Sequence, residues 1–215
     1  VNGNDDAVRV IVIEAAGPVF SAGHDFKDFS RTSAAEIRST LELCARVNMR
    51  LASVPQPTLA VVEGACLAGG VQLAASCDVV LAHRDHATFC LPGAAGGGYC
   101  HTPSVAVAAR IGPHRALELG MLAETISADE AQKMGLANRA VVPEEWRSTV
   151  DGMAAKLAAN YGPNLVMGKR TLYEQSCAGP ITARYEVATD VMSLMFDSEQ
   201  YQTHMQAFLE RKSRK

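Results

Sequence analysis

The chain has 215 residues, of which 48% are hydrophobic and 20% are charged, with 20 basic and 23 acidic side chains. This composition is typical of a globular protein that can bury a large core in one domain, or in one domain with an appendage, without disulfide or metal staples. The formal net charge of -3 excludes the electrostatic attraction on which general nucleic-acid binding depends. We therefore expect no nucleic-acid partner.

The sequence also predicts no membrane span. Its longest charge-free run, at 87–109, is about as long as a span, but prolines and glycines interrupt it. The first residues lack the basic and apolar regions of a signal peptide. The six cysteines form no CxxC pair and lie in apolar segments, which is typical of reduced core thiols. A cytoplasmic location is the expectation from these features.

The first half of the chain alternates predicted strands and helices. Residues 8–13 are rich in β-branched side chains and predict a buried strand that leads into a loop at 17–26. A capping-box pattern, Ser33 followed by Glu36, begins a long amphipathic helix that ends before Pro55. The next predicted elements are a strand at 57–63, a turn at 64–68, a short apolar helix at 69–76 and a strand at 78–82.

The second half contains mostly predicted helices. A short strand at 86–91 leads into a glycine-rich stretch at 93–98. Thr102 and Pro103 then provide the hydroxyl N-cap and the first-turn proline that are typical of a helix start. The remaining predicted elements are helices from 113 and from 128, a strand at 136–142, and helices at 144–160, 163–176, 181–196 and 198–211.

The composition changes near residues 143–160, where mixed strands and helices give way to helices alone. We therefore predict an α/β core over 1–143, in which strands that each lead to a helix form a mostly parallel arrangement, and a helical region over 144–215. The last predicted helices carry apolar stripes and have little core of their own to cover. We expect these stripes to pack on another subunit.

Two loops carry the motifs that indicate chemistry. The first contains F-x-A-G-x-D at 20–25, the second contains V-x-G-x-x-x-x-G-G at 62–70, and each follows a predicted buried strand. The second loop places glycines at a helix N-terminus, where backbone N–H groups and the helix dipole can bind a negatively charged oxygen. Either loop alone would indicate no more than a tight turn.

Together these loops resemble the enoyl-CoA hydratase/isomerase family, also called crotonases. The resemblance extends over nearly the whole chain and includes Ser76-Cys77-Asp78 and the glycine-rich turn after Phe89. It implies a crotonase-like ββα spiral core with a C-terminal helical region that forms a homotrimer or a hexamer. It also implies an acyl-CoA thioester as substrate, with coenzyme A as part of that substrate and no separate cofactor. Relative to the family pattern, the N-terminal part of the domain, which helps to hold coenzyme A, is absent before 8–13.

The resemblance assigns an oxyanion hole to the backbone N–H groups of His24 and Gly69. An enolate-like intermediate concentrates charge on the thioester oxygen, and one preorganised donor typically accelerates such a reaction by about 100- to 1,000-fold. Ala22, Asp25 and Lys27 flank the first donor and are candidate substrate-binding residues. Asp25 and Lys27 are equally suited to capping and solvating the following helix.

The catalytic positions depart from the family pattern. The two glutamates of the family's hydratases align with Gln72 and Gly93. An amide can orient a water but cannot accept a proton near neutral pH, and glycine has no side chain. His101 lies at the offset where dienoyl-CoA isomerases and chlorobenzoyl-CoA dehalogenases place a catalytic aspartate, and its imidazole could act as acid or base. It could also simply flank a helix start. The alternatives are an altered enzyme, an isomerase that uses His101, and a noncatalytic acyl-CoA-binding or assembly protein.

Three further candidates come from the remaining motifs. Tyr99 could line an acyl pocket or belong to the core. Phe208 and Arg211 match the aromatic and basic positions through which the family's last helix reaches the coenzyme A of a neighbouring subunit, although a solvated helix end gives the same pattern. His83 and His86 have HxxH spacing, but they fall at a predicted strand end and loop, and so we expect no metal site there.

Overall fold

The computed structural model describes residues 7–25 and 33–176, together with the helical residues 189, 199, 203 and 210. The described residues fall in two compact units, one within 1–159 and the other within 160–215. The first unit contains the strands and most of the described helices, and the second contains one long described helix. Apart from residues 189, 199, 203 and 210, the helices predicted at 181–196 and 198–211 lie outside the described residues.

Two sheets form the first unit. In the described chain each sheet has four strands, and the first sheet is parallel throughout. Its strands, in spatial order, are β1 (Ile11–Glu14), β3 (Thr58–Val62), β5 (Val79–His83) and β8 (Arg139–Val141). The second sheet is parallel except at its last pair, and its order is β2 (Val19–Ser21), β4 (Ala65–Leu67), β6 (Thr88–Cys90) and β7 (Ile126–Ser127).

The chain alternates between the two sheets and then forms a helix. Strands β1, β3 and β5 are each followed by a strand of the second sheet, and each of these pairs is followed by a helix. This repeat is the ββα spiral that the family resemblance implies. The helices are α1 (Ala34–Ser53), α2 (Gly69–Ala75), α3 (His101–Ile111), α4 (Pro113–Leu122), α5 (Ala128–Met134), α6 (Trp146–Asn160) and α7 (Pro163–Ser176).

Two capping boxes define helix starts as the sequence predicts. The hydroxyl of Ser33 accepts a hydrogen bond from the Glu36 N–H, and the Glu36 carboxylate accepts one from the Ser33 N–H at 3.1 Å. Ser127 and Glu130 make the same reciprocal pair at the start of α5. Each box satisfies backbone donors that have no partner within the helix.

Three local predictions were wrong. The predicted loop at 17–26 and turn at 64–68 each contain a three-residue strand, β2 and β4, which is too short to show the alternation of a strand. Helix α3 begins at His101, before the predicted start at Thr102-Pro103, with Cys100 as an N-cap that makes no side-chain bond. A proline is tolerated in the first helical turn because the first N–H groups have no helical partner.

The buried core includes the central strands of the first sheet, and hydrogen bonds attach helix α3 to it. All five residues of β3 are buried, and so are Val80, Leu81 and Ala82 of β5. Arg110 of α3 donates to the Cys77 carbonyl at 2.7 Å and to Asn138 Oδ1 at 2.6 Å, and Asn138 Oδ1 also accepts the Val80 N–H at 2.8 Å. These bonds fix α3 against the end of α2 and the edge of the first sheet.

The described residues bear on two features of the sequence, its apolar segments and its cysteines. None of the described helices combines the length and hydropathy needed to cross a lipid bilayer. The five described cysteines are free thiols, as expected from their apolar surroundings, and they are Cys44, Cys66, Cys77, Cys90 and Cys100.

Candidate functional site

The two glycine motifs of the sequence lie in direct backbone contact. Gly23 has φ +89°, a left-handed conformation that side chains other than glycine rarely adopt, and a Cβ atom there would lie 2.9 Å from the Gly69 nitrogen. A Cβ atom on Gly69 would lie 3.3 Å from Gly23 Cα and 3.5 Å from His24 Nδ1. The structure therefore brings together the two positions, His24 and Gly69, that the sequence analysis pairs as backbone donors.

The local turns explain why the loops meet. Ser21 Oγ accepts the Gly23 N–H at 3.2 Å, which shapes the end of β2. Ala68 has φ 47°, an unfavourable conformation for alanine, and its N–H donates to the Cys90 carbonyl at 3.0 Å. Gly69 is the first residue of α2, so its N–H has no acceptor within the helix. The strained turn at Ala68 therefore directs the N-terminus of α2 toward the loop that contains Gly23.

A cavity of about 200 Å³ opens beside this contact. Residues of both loops form one part of its wall, and helix α1 and the apolar Leu73 of α2 form the rest. This arrangement suits a small polar group at the backbone donors and an apolar group beyond it. The lining residues are Ser21, Gly23, His24, Cys44, Val47, Asn48, Gly69 and Leu73.

The side chain of Gln72 is buried next to this wall. Gln72 is 4% exposed, and its Oε1 accepts a weak hydrogen bond from the Cys44 thiol at 3.9 Å. Asn48 Nδ2 donates to the Cys44 carbonyl at 2.8 Å, and its Oδ1 faces the Ser76 hydroxyl at 3.0 Å. The Ser76 hydroxyl also lies 2.8 Å from the Gln72 carbonyl. A neutral polar network therefore joins α1 to α2.

Sequence reasoning did not assign Cys44 and Asn48 to the site. Both follow the helical spacing of the mostly apolar face of α1, and that pattern alone indicates core. The signal that could have found them is Asn48 itself, because a polar residue on an apolar helix face must find hydrogen-bonding partners when it is buried. Here its partners are the residues around Gln72.

Gly93 is crowded by backbone and not by side chains. It lies in a short 3₁₀ helix, Pro92–Gly96, and its carbonyl accepts the Gly98 N–H at 2.9 Å. A Cβ atom there would lie 2.7 Å from the Cys100 nitrogen and 2.8 Å from the Tyr99 carbonyl carbon. The backbone of residues 99–100 therefore occupies the space where any side chain at 93 would begin.

His101 and Tyr99 pack on each other away from the cavity wall. Their rings meet edge to face with centroids 5.1 Å apart, and His101 is exposed at the start of α3. The Tyr99 ring packs on Gly120 of α4, and its hydroxyl lies 3.3 Å from Ser104 Oγ. Neither residue is among those that line the cavity.

The remaining sequence-predicted site residues are less informative. Ala22 and Asp25 are exposed on either side of the Gly23–His24 turn. Lys27, Phe208 and Arg211 lie outside the described residues.

Two buried cysteines that do not line the cavity, Cys66 and Cys90, are poor candidates for thiol chemistry. Burial raises the pKa of the Cys66 thiol far above its usual range. Burial also raises the pKa of Cys90, an effect that Cys100 reinforces and a hydrogen bond with Thr125 opposes. A thiol with a raised pKa remains protonated at neutral pH and is a poor nucleophile.

Comparison with known proteins identifies the class. Residues 2–215 match the sequence model of the enoyl-CoA hydratase/isomerase family, and the chain belongs to that family. It is 37% identical over 169 residues to the mitochondrial enoyl-CoA hydratase domain-containing protein 3 of Homo sapiens, a match that covers 78% of this chain and 55% of the human protein. The chain thus spans little more than half the length of that relative.

Two further matches cover nearly the whole chain. The crystal structure of human enoyl Coenzyme A hydratase domain-containing protein 3 superposes with a TM-score of 0.92 at 32% identity, covering 98% of this chain and 83% of that one. The crotonyl-CoA hydratase of Syntrophomonas wolfei is 31% identical over 215 residues, covering 97% of this chain and 81% of the relative. The crotonase fold that the sequence predicts is thereby confirmed for the α/β part.

Proposed function

We propose that this chain is an acyl-CoA-processing enzyme of the family, in which the backbone N–H groups of His24 and Gly69 hold the thioester oxygen. The observation that carries the proposal is the contact between Gly23 and Gly69, which places the first N–H of α2 beside the turn that bears His24. Fixed backbone donors need no reorganisation when charge develops on the oxygen, which is why such donors contribute strongly to catalysis.

Replacing Gly69 tests this role. Gly69→Pro removes the N–H, whereas Gly69→Ala keeps it and adds only a Cβ atom 3.3 Å from Gly23 Cα. We expect Gly69→Pro to lose affinity for an enolate-mimicking CoA analogue by about 100-fold or more, in line with the loss of one preorganised donor. Gly69→Ala should retain most of the affinity. Calorimetric titration of the analogue, with circular dichroism to verify folding, makes the measurement.

Equal losses in the two variants would point to crowding by the new side chain and not to the missing donor. Unchanged affinity in a folded Gly69→Pro variant would contradict the assignment. Proline is also disfavoured after Ala68, whose ψ is -113°, so the folding control is essential.

The acid/base set of this enzyme differs from that of a hydratase. Gln72 offers an amide that is already bonded to Cys44, and the space beside Gly93 is filled by backbone. Water addition to an enoyl thioester needs a base and a proton donor held in place, each typically contributing about 100- to 10,000-fold. We therefore propose that hydration of crotonyl-CoA is very weak, although the Syntrophomonas wolfei relative is named as a crotonyl-CoA hydratase.

Restoring a carboxylate at position 72 tests this explanation. Gln72→Glu should raise crotonyl-CoA hydration because it supplies one proton-transfer group beside Cys44, which lines the cavity. Adding Gly93→Glu should not help, because the Tyr99–Cys100 backbone blocks it. Loss of the enoyl-thioester absorbance follows the reaction, and Gln72→Asn serves as a control that adds no carboxylate. An ordinary enzymic rate in the unmodified chain would contradict our interpretation of Gln72 and Gly93.

The same altered residues support a second candidate, a noncatalytic acyl-CoA-binding or assembly protein on this fold. His101→Ala separates it from an isomerase. Collapse of any enoyl-CoA isomerase activity in that variant would assign the acid/base role to His101, while binding without turnover in every variant would favour the noncatalytic protein. The compartment also stays a prediction, since the human relative is named as mitochondrial and the sequence favours the cytoplasm.

A further inference from the structure

Three side chains that can ligate a metal ion converge at one edge of the first sheet. Glu63 directly follows β3, His83 is the last residue of β5, and His86 lies in the turn that leads to β6. One ligand atom from each lies within 4.8 Å of the others. Strands β3 and β5 are parallel neighbours, so their carboxyl ends meet at this edge. None of the three residues lines the cavity beside Gly23 and Gly69.

The buried member of this cluster has an unsatisfied nitrogen. His83 is 3% exposed, and its Nδ1 has no hydrogen-bond partner among the described residues. A buried polar atom without a partner is costly, and native proteins rarely keep one unless a water, an ion or a function accounts for it. Neutral imidazole nitrogen is also among the commonest metal ligands in proteins.

Hydrogen bonds orient Glu63 and close the turn that carries His86. Trp146 Nε1–H donates to Glu63 Oε2 at 3.1 Å, and the Trp146 ring meets the His83 ring edge to face at 5.1 Å. Ligating carboxylates are commonly oriented by such a second hydrogen bond. The Ala87 N–H donates to the His83 carbonyl at 2.9 Å and closes the turn that returns His86 over His83. The sequence expectation of no metal site considered the HxxH pair alone and did not include Glu63.

We propose that Glu63, His83 and His86 bind a divalent transition-metal ion such as Zn²⁺. Two imidazoles and one carboxylate match the three-ligand zinc sites that leave a fourth position to water. The two histidine rings are stacked with centroids 4.1 Å apart and planes 2° apart. Ligand atoms on a tetrahedral zinc are about 3.3 Å apart, so binding requires the cluster to contract and one ring to turn.

The exposed members of the cluster can make that movement. Glu63 and His86 are exposed, whereas His83 is fixed by packing. The neighbouring Arg84 guanidinium would oppose a cation, but it lies 3.3 Å from the Asp129 carboxylate, which offsets its charge. The proposal is independent of acyl-CoA binding, because it uses other residues and another edge of the fold.

Zinc titration of the full chain, after removal of metal with a chelator, tests the proposal. Competition with a chromophoric chelator should show one Zn²⁺ bound per chain. His86→Ala and Glu63→Gln should each weaken binding by tenfold or more, while His114→Ala, which removes an exposed histidine on α4, should leave it unchanged. Glu63→Gln is the informative variant, since its amide oxygen can still accept the Trp146 hydrogen bond and keep the fold intact.

Cobalt provides a second readout for the same site. Co²⁺ bound by two imidazoles and a carboxylate should show visible d–d bands without the thiolate-to-cobalt charge-transfer band that a cysteine ligand produces. Absence of a one-to-one site, an affinity that His86→Ala and Glu63→Gln leave unchanged, or a thiolate band would each overturn the proposal.

Discussion

At the scale of single residues, the structure shows that a missing side chain can reflect backbone packing. The absence of a carboxylate at position 93 would suggest only a lost catalytic group. The Cys100 nitrogen and the Tyr99 carbonyl carbon lie so close to that position that backbone atoms occupy the space of a side chain. Reverting one residue cannot restore such a group, because the neighbouring segment would first have to move.

Gly93→Ala should destabilise the fold for this reason. Inserting a methyl group against backbone in a packed region typically costs about 1–3 kcal/mol in free energy of unfolding. Gly96→Ala is the matched control in the same 3₁₀ helix, since nothing lies within 4 Å of a Cβ atom there, and we expect it to stay within about 0.5 kcal/mol of the unmodified chain. Denaturant unfolding measures the free energy of unfolding of both variants. Equal values would show that the Tyr99–Cys100 segment can move to accommodate the added methyl group at no cost.

At the scale of elements, reciprocal capping fixes where helices α1 and α5 begin. In both boxes the glutamate accepts hydrogen bonds from the N-cap serine, and these bonds lower the pKa of Glu36 and Glu130 below their usual range. For Glu130 the backbone N–H of Ser127 is the largest cause, followed by the Ser127 hydroxyl. The bonds therefore stabilise the ionised carboxylate, and so they couple the stability of the helix start to pH.

Glu130→Gln should reveal this coupling. A carboxyl whose pKa is lower in the folded chain contributes stability above its unfolded pKa, and loses that contribution as pH falls through its folded pKa. The melting temperature of the unmodified chain should therefore exceed that of Glu130→Gln at neutral pH, and the gap should shrink as the pH falls below 4.5. Glu118→Gln, at an exposed position on α4, is the control. A gap that does not change with pH would contradict the capping role.

At the scale of the whole molecule, the described surface retains large apolar side chains. Val105 of α3 is 73% exposed and Met121 of α4 is 64% exposed. Leu117 of α4 is 41% exposed and lies four residues before Met121, so the two share a helix face. A contiguous exposed apolar patch commonly marks a site of association. The stripes that first suggested association belong to helices outside the described residues, so α3 and α4 supply an independent reason to propose a homotrimer or a hexamer.

Met121→Lys should weaken that assembly. Sedimentation at micromolar concentration is expected to show a trimer or hexamer for the unmodified chain and a shift toward monomer for the variant, because a charged side chain would be buried in the contact. Ser39→Lys, at an exposed position on α1, tests whether an added charge alone has this effect. A stable monomer of the unmodified chain would contradict the proposal.

Much of the α/β fold could be predicted because its signals are local. The capping boxes, the β-branched runs and the glycine motifs each reflect the conformation of a few consecutive residues. Strands of three residues such as β2 and β4 could not be predicted, since their pairing partners and not their own pattern make them strands. The crowding at Gly93 and the approach of Glu63 to His83 depend on how separate segments of the chain pack. They could therefore not be predicted from the spacing of residues in the sequence.

The parallel ladders of the first sheet also constrain the order in which the chain assembles. The β3–β5 ladder pairs Leu59 with Val79, whereas the β1–β3 ladder pairs Ile11 with Thr58, across more than twice as many intervening residues. Closing a longer loop costs more conformational entropy, and distant pairings slow folding. Strand β1 is therefore expected to dock after the β3–β5 pair has formed. Because the Gly23 turn follows β1 and β2, its contact with Gly69 is also expected to form after the β3–β5 pair.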